Sequence, residues 1–229
     1  MQELPCTRVY INTGDPIEDS DLMEFRLLYE GELLPSGGSN SRAPEKHAIR
    51  RTFHPQLRRL WYLNHNLRQL ATRAGGRIAT STEPQMAETF VSDGCRAIGQ
   101  QWNRVGYEFV PLVTAAFALR CSLDILLLRP EEDRFIFTSG DIDGQVKTLF
   151  DALRIPANLE EAGGIGPQDG ESPFFCLLED DRLISEVRVN ADQLLLLPQQ
   201  KKVKANDCFV VIHVRLNHTT PRTFDNYFG

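Results

Sequence analysis

Two groups of carboxylates have the spacing to do chemistry. Asp141 and Asp143 stand two apart in Ser139-Gly-Asp-Ile-Asp-Gly144, and Glu179-Asp180-Asp181 follows the apolar run Phe174 to Leu178. Carboxylates crowded together repel one another, and a shared divalent cation removes that cost; hard cations such as Mg²⁺ take oxygen ligands and keep several waters. An extended backbone at the mouth of a helix would project Asp141 and Asp143 to one side, beside the partial positive charge of the helix N-terminus. Lys147 and Asp151 follow Asp143 at i+4 and i+8, on the flank of a stripe made by Val146, Leu149, Phe150 and Leu153. Each group alone also has a plainer reading, a capped helix whose Lys147 pairs with Asp151 and a solubilising turn. Together, each at the end of a predicted strand in one sheet, they point to a metal site built from Asp141, Asp143, Asp180 and Asp181.

Other chemistries fit the spacing poorly. An EF-hand fails because Gly144 falls at the fourth loop position and Ala152 where the closing Glu belongs. Gly163-Gly164-Ile165-Gly166 lacks the Lys-Ser/Thr of a P-loop. His213 lies in an apolar strand and reads as a satisfied core histidine. No Ser/His/Asp or Cys/His arrangement has a recognisable signature. The five cysteines include no C-x-x-C pair, which speaks against a zinc site or a disulfide framework and for a reducing, cytoplasmic setting.

The elements that must position the carboxylates are legible as a mixed α/β (α+β) pattern of strands and helices. Glu24 to Glu30 alternates like a strand and runs into Leu33-Leu-Pro35-Ser36-Gly-Gly-Ser-Asn40, a flexible loop by composition. Helical spacing from Gln56 to Ala71, with Pro55 in the first turn and Gly75-Gly76 beyond the end, predicts a helix. Residues 72–104 have weak periodicity, with at most a short helix from Glu83 to Phe90. Two strands follow, from Tyr107 and over Ala118 to Leu128, the second near the sheet centre. Then come the helix after Asp143, ended by Pro156, a Gly- and Glu-rich loop over 157–173, strands at 174–178 and 183–189, and a last strand from Cys208 to Leu216.

Composition sets outer limits. The 229 residues, 41% of them hydrophobic, can bury a substantial core, and one decorated domain over 1–229 is the favoured division. No apolar run of about 18 residues and no signal-peptide start are present, so no membrane partner is expected. The net charge of -6 hides its arrangement. Residues 42–77 carry nine Lys and Arg, among them Arg50, Arg51, Arg58 and Arg59, against the single acid Glu45. Such a segment serves either as a solvated face or as a surface for the phosphates of nucleic acid.

Set in order, Asp141-Ile-Asp-Gly-Gln-Val-Lys147-Thr-Leu-Phe-Asp151-Ala-Leu153 and the strand leading into Asp180-Asp181 resemble the signature of RusA-type Holliday junction resolvases. That pattern is D-x-D-N-x-x-K-x-x-x-D-A-L, then D-D. Phe25 to Asn40, with Pro-Ser-Gly-Gly-Ser-Asn, more weakly resembles the family's first strand and P-S-x-N loop. The likeness covers the segments near 24–40 and 118–190. It implies a homodimeric, Mg²⁺-dependent endonuclease of branched DNA, with Mn²⁺ able to substitute, on a small mixed-sheet fold used in DNA recombination and repair. By position, Asp141, Asp143 and Asp181 would hold the metal, Asp180 would support it, and Lys147 would be the catalytic lysine. Core segments would be 24–40 and 107–218, with a basic, partly helical insertion at 42–106 that holds the DNA backbone through Arg50, Arg51, Arg58 and Arg59. Three departures stand out: Gly144 in place of Asn, a long loop from Arg154 to Pro173, and the insertion itself. Two rival readings remain, a RusA-like nucleic-acid-binding or regulatory protein without turnover, and a nucleotide-sugar transferase using Asp141-x-Asp143.

Overall fold

The computed structural model describes residues 23–37, 42–76, 84–129, 139–195 and 206–218. For 84–87 and 139–141 it describes the backbone alone. The fold is α+β, with two mixed sheets and four helices among the described residues. Strand β1 (Glu24–Glu32) alternates exposed and buried residues over most of its length, as a half-buried strand should. Helices α1 (Ala43–Leu63), α2 (His65–Ala74) and α3 (Pro84–Gln101) follow, then the short β2 (Asn103–Arg104) and the buried β3 (Tyr107–Val113). Next come β4 (Leu119–Arg129), α4 (Ser139–Leu153), β5 (Phe174–Leu178), a single 3-10 turn (Asp181–Leu183), β6 (Ile184–Gln193) and β7 (Asp207–His218).

The larger sheet has the order β1-β7-β4-β6, with β4 antiparallel to β7 and parallel to β6. The smaller has the order β2-β3-β5, with β3 and β5 parallel. The two acidic groups were expected beside strands of a single sheet; β4 and β5 instead belong to different ones. Cross-strand register puts Phe25 beside Val214, Leu27 beside Ile212 and Ile125 beside the same Ile212, so one face of the larger sheet is continuous apolar core. Phe109, Phe174, Phe175, Phe53 and Trp61 from the smaller sheet and α1 join the same buried cluster.

The helical region differs from its sequence reading. Pro55 lies inside α1, which begins at Ala43 rather than near Gln56. The chain breaks at Asn64, whose side chain accepts from Leu67 N at 3.1 Å and so caps α2. The weakly periodic stretch up to residue 104 contains the 18-residue α3. Close contact with α2 explains why no clean stripe announces α3: a Cβ on Gly94 would come within 1.7 Å of Ala71 O, so small residues rather than large apolar ones define that face. His213, expected in the core, instead points to the outer face of β7 and meets Glu24 Oε2 at 3.0 Å. Among the described residues no helix is long and apolar enough to cross a membrane.

Candidate functional site

The segment after β1, residues 33–37, is strapped along the first turns of α4. Leu33 is fully buried, and its carbonyl accepts from Gln145 Nε2 at 2.8 Å. Thr148 Oγ1 donates to Leu34 O at 2.9 Å, and Ser36 N donates to Gly144 O at 2.8 Å. From the end of β4, Arg129 donates to Gln145 Oε1. Gln145 and Thr148 are therefore buried polar residues with partners, as burial requires. Sequence reading missed both; the available signal was two polar residues three apart beside the apolar stripe of α4.

Asp143 and Lys147 lie one turn apart on the exposed side of this helix and form no ion pair among the described residues. Asp141 is in the same helix, within its first turn. This corrects the extended arrangement expected above. Helical residues two apart are rotated by about 200°, so Asp141 and Asp143 do not share a face of α4.

Asp180 and Asp181 follow β5 at the 3-10 turn, which packs against both α4 and β4. The end of β5 meets the C-terminal end of α4, where Ile155 N donates to Leu178 O at 3.0 Å, whereas Asp141 and Asp143 stand at the opposite end of that helix. Asp181 is exposed, whereas Asp180 is held by a neighbour: Arg182 approaches it through Nε at 2.8 Å, Nη2 at 3.1 Å and its backbone N at 3.0 Å. Those hydrogen bonds hold the Asp180 carboxyl down to about 2. Its expected support of a cation therefore competes with the guanidinium fork of Arg182. Glu179 is tied elsewhere, accepting from Ala115 N at 3.1 Å.

Asp151, fifth of the patterned residues, faces α1 and not Lys147. It pairs with Lys46 at 2.7 Å and Arg154 at 3.1 Å. Beside it Arg50, 2% exposed, donates to the carbonyls of Asp151, Arg154 and Glu161 at 2.6, 3.2 and 3.3 Å. Burial lowers Arg50 to about 10, still cationic at neutral pH. Arg50 thus fastens the long loop onto α1 and is withdrawn from any phosphate-facing role. Arg51 clasps Glu171 at 2.6 Å, while Arg58 and Arg59 are exposed, Arg58 with its guanidinium 5.8 Å from the Tyr62 ring centre.

No family model, curated protein or solved structure matches this chain.

The donors expected from the sequence, Asp141, Asp143 and Asp181, are all carboxylates, a chemistry suited to a hard cation such as Mg²⁺ or Mn²⁺. Among the described residues no three His, Cys, Asp or Glu side chains gather at one point. The Asp141 side chain lies outside the described residues.

Proposed function

We propose that the chain is a Mg²⁺-dependent endonuclease acting on DNA, branched DNA in particular, in the cytoplasm and as a homodimer. One juxtaposition carries the reading. The strap at Pro35-Ser36 rests against α4 at Gly144, immediately beside Asp143 and within a turn of Lys147, so the two segments whose motifs resemble RusA resolvases are neighbours in space. Asp141, Asp143 and Asp181 would hold the cation, which when bound supplies a water activated for attack on a phosphodiester. Lys147, exposed one turn from Asp143, would offset the charge growing on the phosphate oxygens. Arg58 and Arg59, with Arg51 beside them, would hold the backbone of the nucleic acid.

A second reading keeps the DNA and removes the turnover. It is favoured by the helical placement of Asp141 and Asp143 and by the hold of Arg182 on Asp180, both of which work against a close carboxylate cluster. Labelled four-way junction, flap, duplex and single-stranded DNA, incubated with Mg²⁺, with EDTA, and with the Asp143→Asn variant, separate the two. Cutting that needs Mg²⁺ and Asp143 supports the endonuclease; binding with no cutting makes the protein a recognition module.

A further inference from the structure

The edges of the two sheets are finished differently. Along β1, the carboxamide of Gln56 in α1 stands in for a neighbouring strand: Leu28 N donates to Gln56 Oε1 at 2.9 Å, and Gln56 Nε2 donates to Leu28 O at 2.7 Å. The outer edge of β5 is closed too, with Phe175 N donating to His54 Nδ1 at 2.9 Å and Ile155 N to Leu178 O at 3.0 Å. On β6, residues 184–192 have no such closure on the side away from β4 among the described residues.

An open strand of this length is a template for pairing, and proteins usually blunt one with Pro, Lys, a bulge or a covering element. β6 contains no Pro, Gly or Lys, and the register shift in its pairing with β4 comes at its start. Its side chains add a pattern. Val187 pairs with Leu123 on the core face of the sheet yet is 40% exposed. On the opposite face Glu186 and Arg188 flank it, both exposed and in no ion pair among the described residues.

We propose that β6 pairs antiparallel with β6 of a second copy of this chain, about a two-fold axis through Val187. That register sets Glu186 against Arg188 of the second copy, Arg188 against its Glu186, and the two exposed valines against each other. Opposite charges facing each other across strands are favourable and like charges are not. An axis through Arg188 would set arginine against arginine, and one through Val189 would set Glu186 against Asp192. An axis through Asn190 pairs Arg188 with Asp192 but faces Val187 with Gln193. Only the Val187 axis satisfies both unpaired charges and covers the exposed valine with its own kind. The two larger sheets become one of eight strands, and the face symmetry is that of an isologous contact. The two 3-10 turns that carry Asp181 then lie on opposite sides of the axis, on the order of 40 Å apart. The pairing rests on the homodimer proposed above and not on DNA cutting, and a dimer indifferent to substitutions in β6 would keep that homodimer while removing this interface.

Light scattering after gel filtration and native mass spectrometry of the full chain test it. The parent should have twice the chain mass. Glu186→Arg and Arg188→Glu each place like charges at both contacts and should weaken the dimer on the order of tenfold. An equimolar mixture of the two variants restores both opposite pairs and should give a heterodimer, as should both changes in one chain give a homodimer. Unchanged circular dichroism and thermal unfolding of the isolated variants establish that they fold. A monomeric parent at high micromolar concentration, a dimer indifferent to both substitutions, or variants that fail to combine would each overturn the proposal.

Discussion

A Cβ placed on Gly144 would lie 2.7 Å from Cβ of Pro35 and 3.2 Å from Ser36 N. Helix α4 and the strap after β1 therefore meet where only a glycine leaves room. The RusA pattern has Asn at this position, and here an Asn would strike the very segment that a P-S loop motif brings to the site. Gly144→Ala is expected to cost about 1–3 kcal/mol by overpacking, and Gly144→Asn at least as much. Urea unfolding of the two variants checks this, and stability equal to the parent's would mean that the strap yields freely. Under the nuclease reading both variants also lose cleavage.

Lys147 is exposed and has no ion-pair partner among the described residues, so its removal touches no packing. Lys147→Met should change stability by less than about 0.5 kcal/mol, as for surface sites in general. Cleavage should fall by a factor of about 100 or more if the ammonium meets the phosphate in the transition state. Single-turnover rates on a labelled junction, read beside a melting curve, test both halves; unchanged cleavage would remove Lys147 from the mechanism.

Arg50 and Arg59 are both in α1 and should behave oppositely. Arg50→Met leaves three carbonyls and the neighbourhood of Asp151 without their buried donor, a loss on the order of 3–5 kcal/mol. Arg59→Ala should leave stability alone and weaken DNA binding, reducing the slope of log affinity against log salt by about 1. Titrations at several salt concentrations distinguish a phosphate contact from a solvated face, for which the slope would not move.

Two buried histidines couple the fold to pH. Burial, with Arg50 and then Arg51 beside it, pushes His47 from 6.5 down to about 4. Tyr107 OH stands 3.4 Å from its Nε2, and Glu171, which pulls the other way, is too weak to reverse the shift. Burial also lowers His54, whose ring bridges Gly170 O and Phe175 N. Between these folded values and 6.5 the unfolded chain binds more protons, so stability is complete above about pH 6.5 and is lost as pH falls toward about 4. Chemical denaturation at stepped pH should show a loss of about 3 kcal/mol over that window, diminished in His47→Gln. A flat profile would mean that the loop over 157–173 opens to let the ring charge in solution.

Much of the frame was legible along the chain because period and composition are local properties. Alternation placed β1 and β6, apolar runs placed β5 and β7, and the i, i+3, i+4, i+7 stripe placed α4. The carboxylates, Lys147 and the basic helical region were visible for the same reason: residue type and spacing are written in one dimension. What those residues face was decided by packing. Nothing local says that β4 and β5 enter different sheets, since sheet membership depends on partners far apart in sequence. Nor does spacing reveal that Asp151 turns to Lys46, 105 residues earlier, or that Arg50 is drawn under the long loop to satisfy carbonyls that burial would otherwise leave bare. The sequence by itself determined which charges the protein carries and in what order; the tertiary structure decided which of them remain free to meet a ligand. Low-dielectric burial forces each enclosed charge to find a partner, whereas Asp143, Lys147, Glu186 and Arg188, left at the surface, form no ion pair among the described residues.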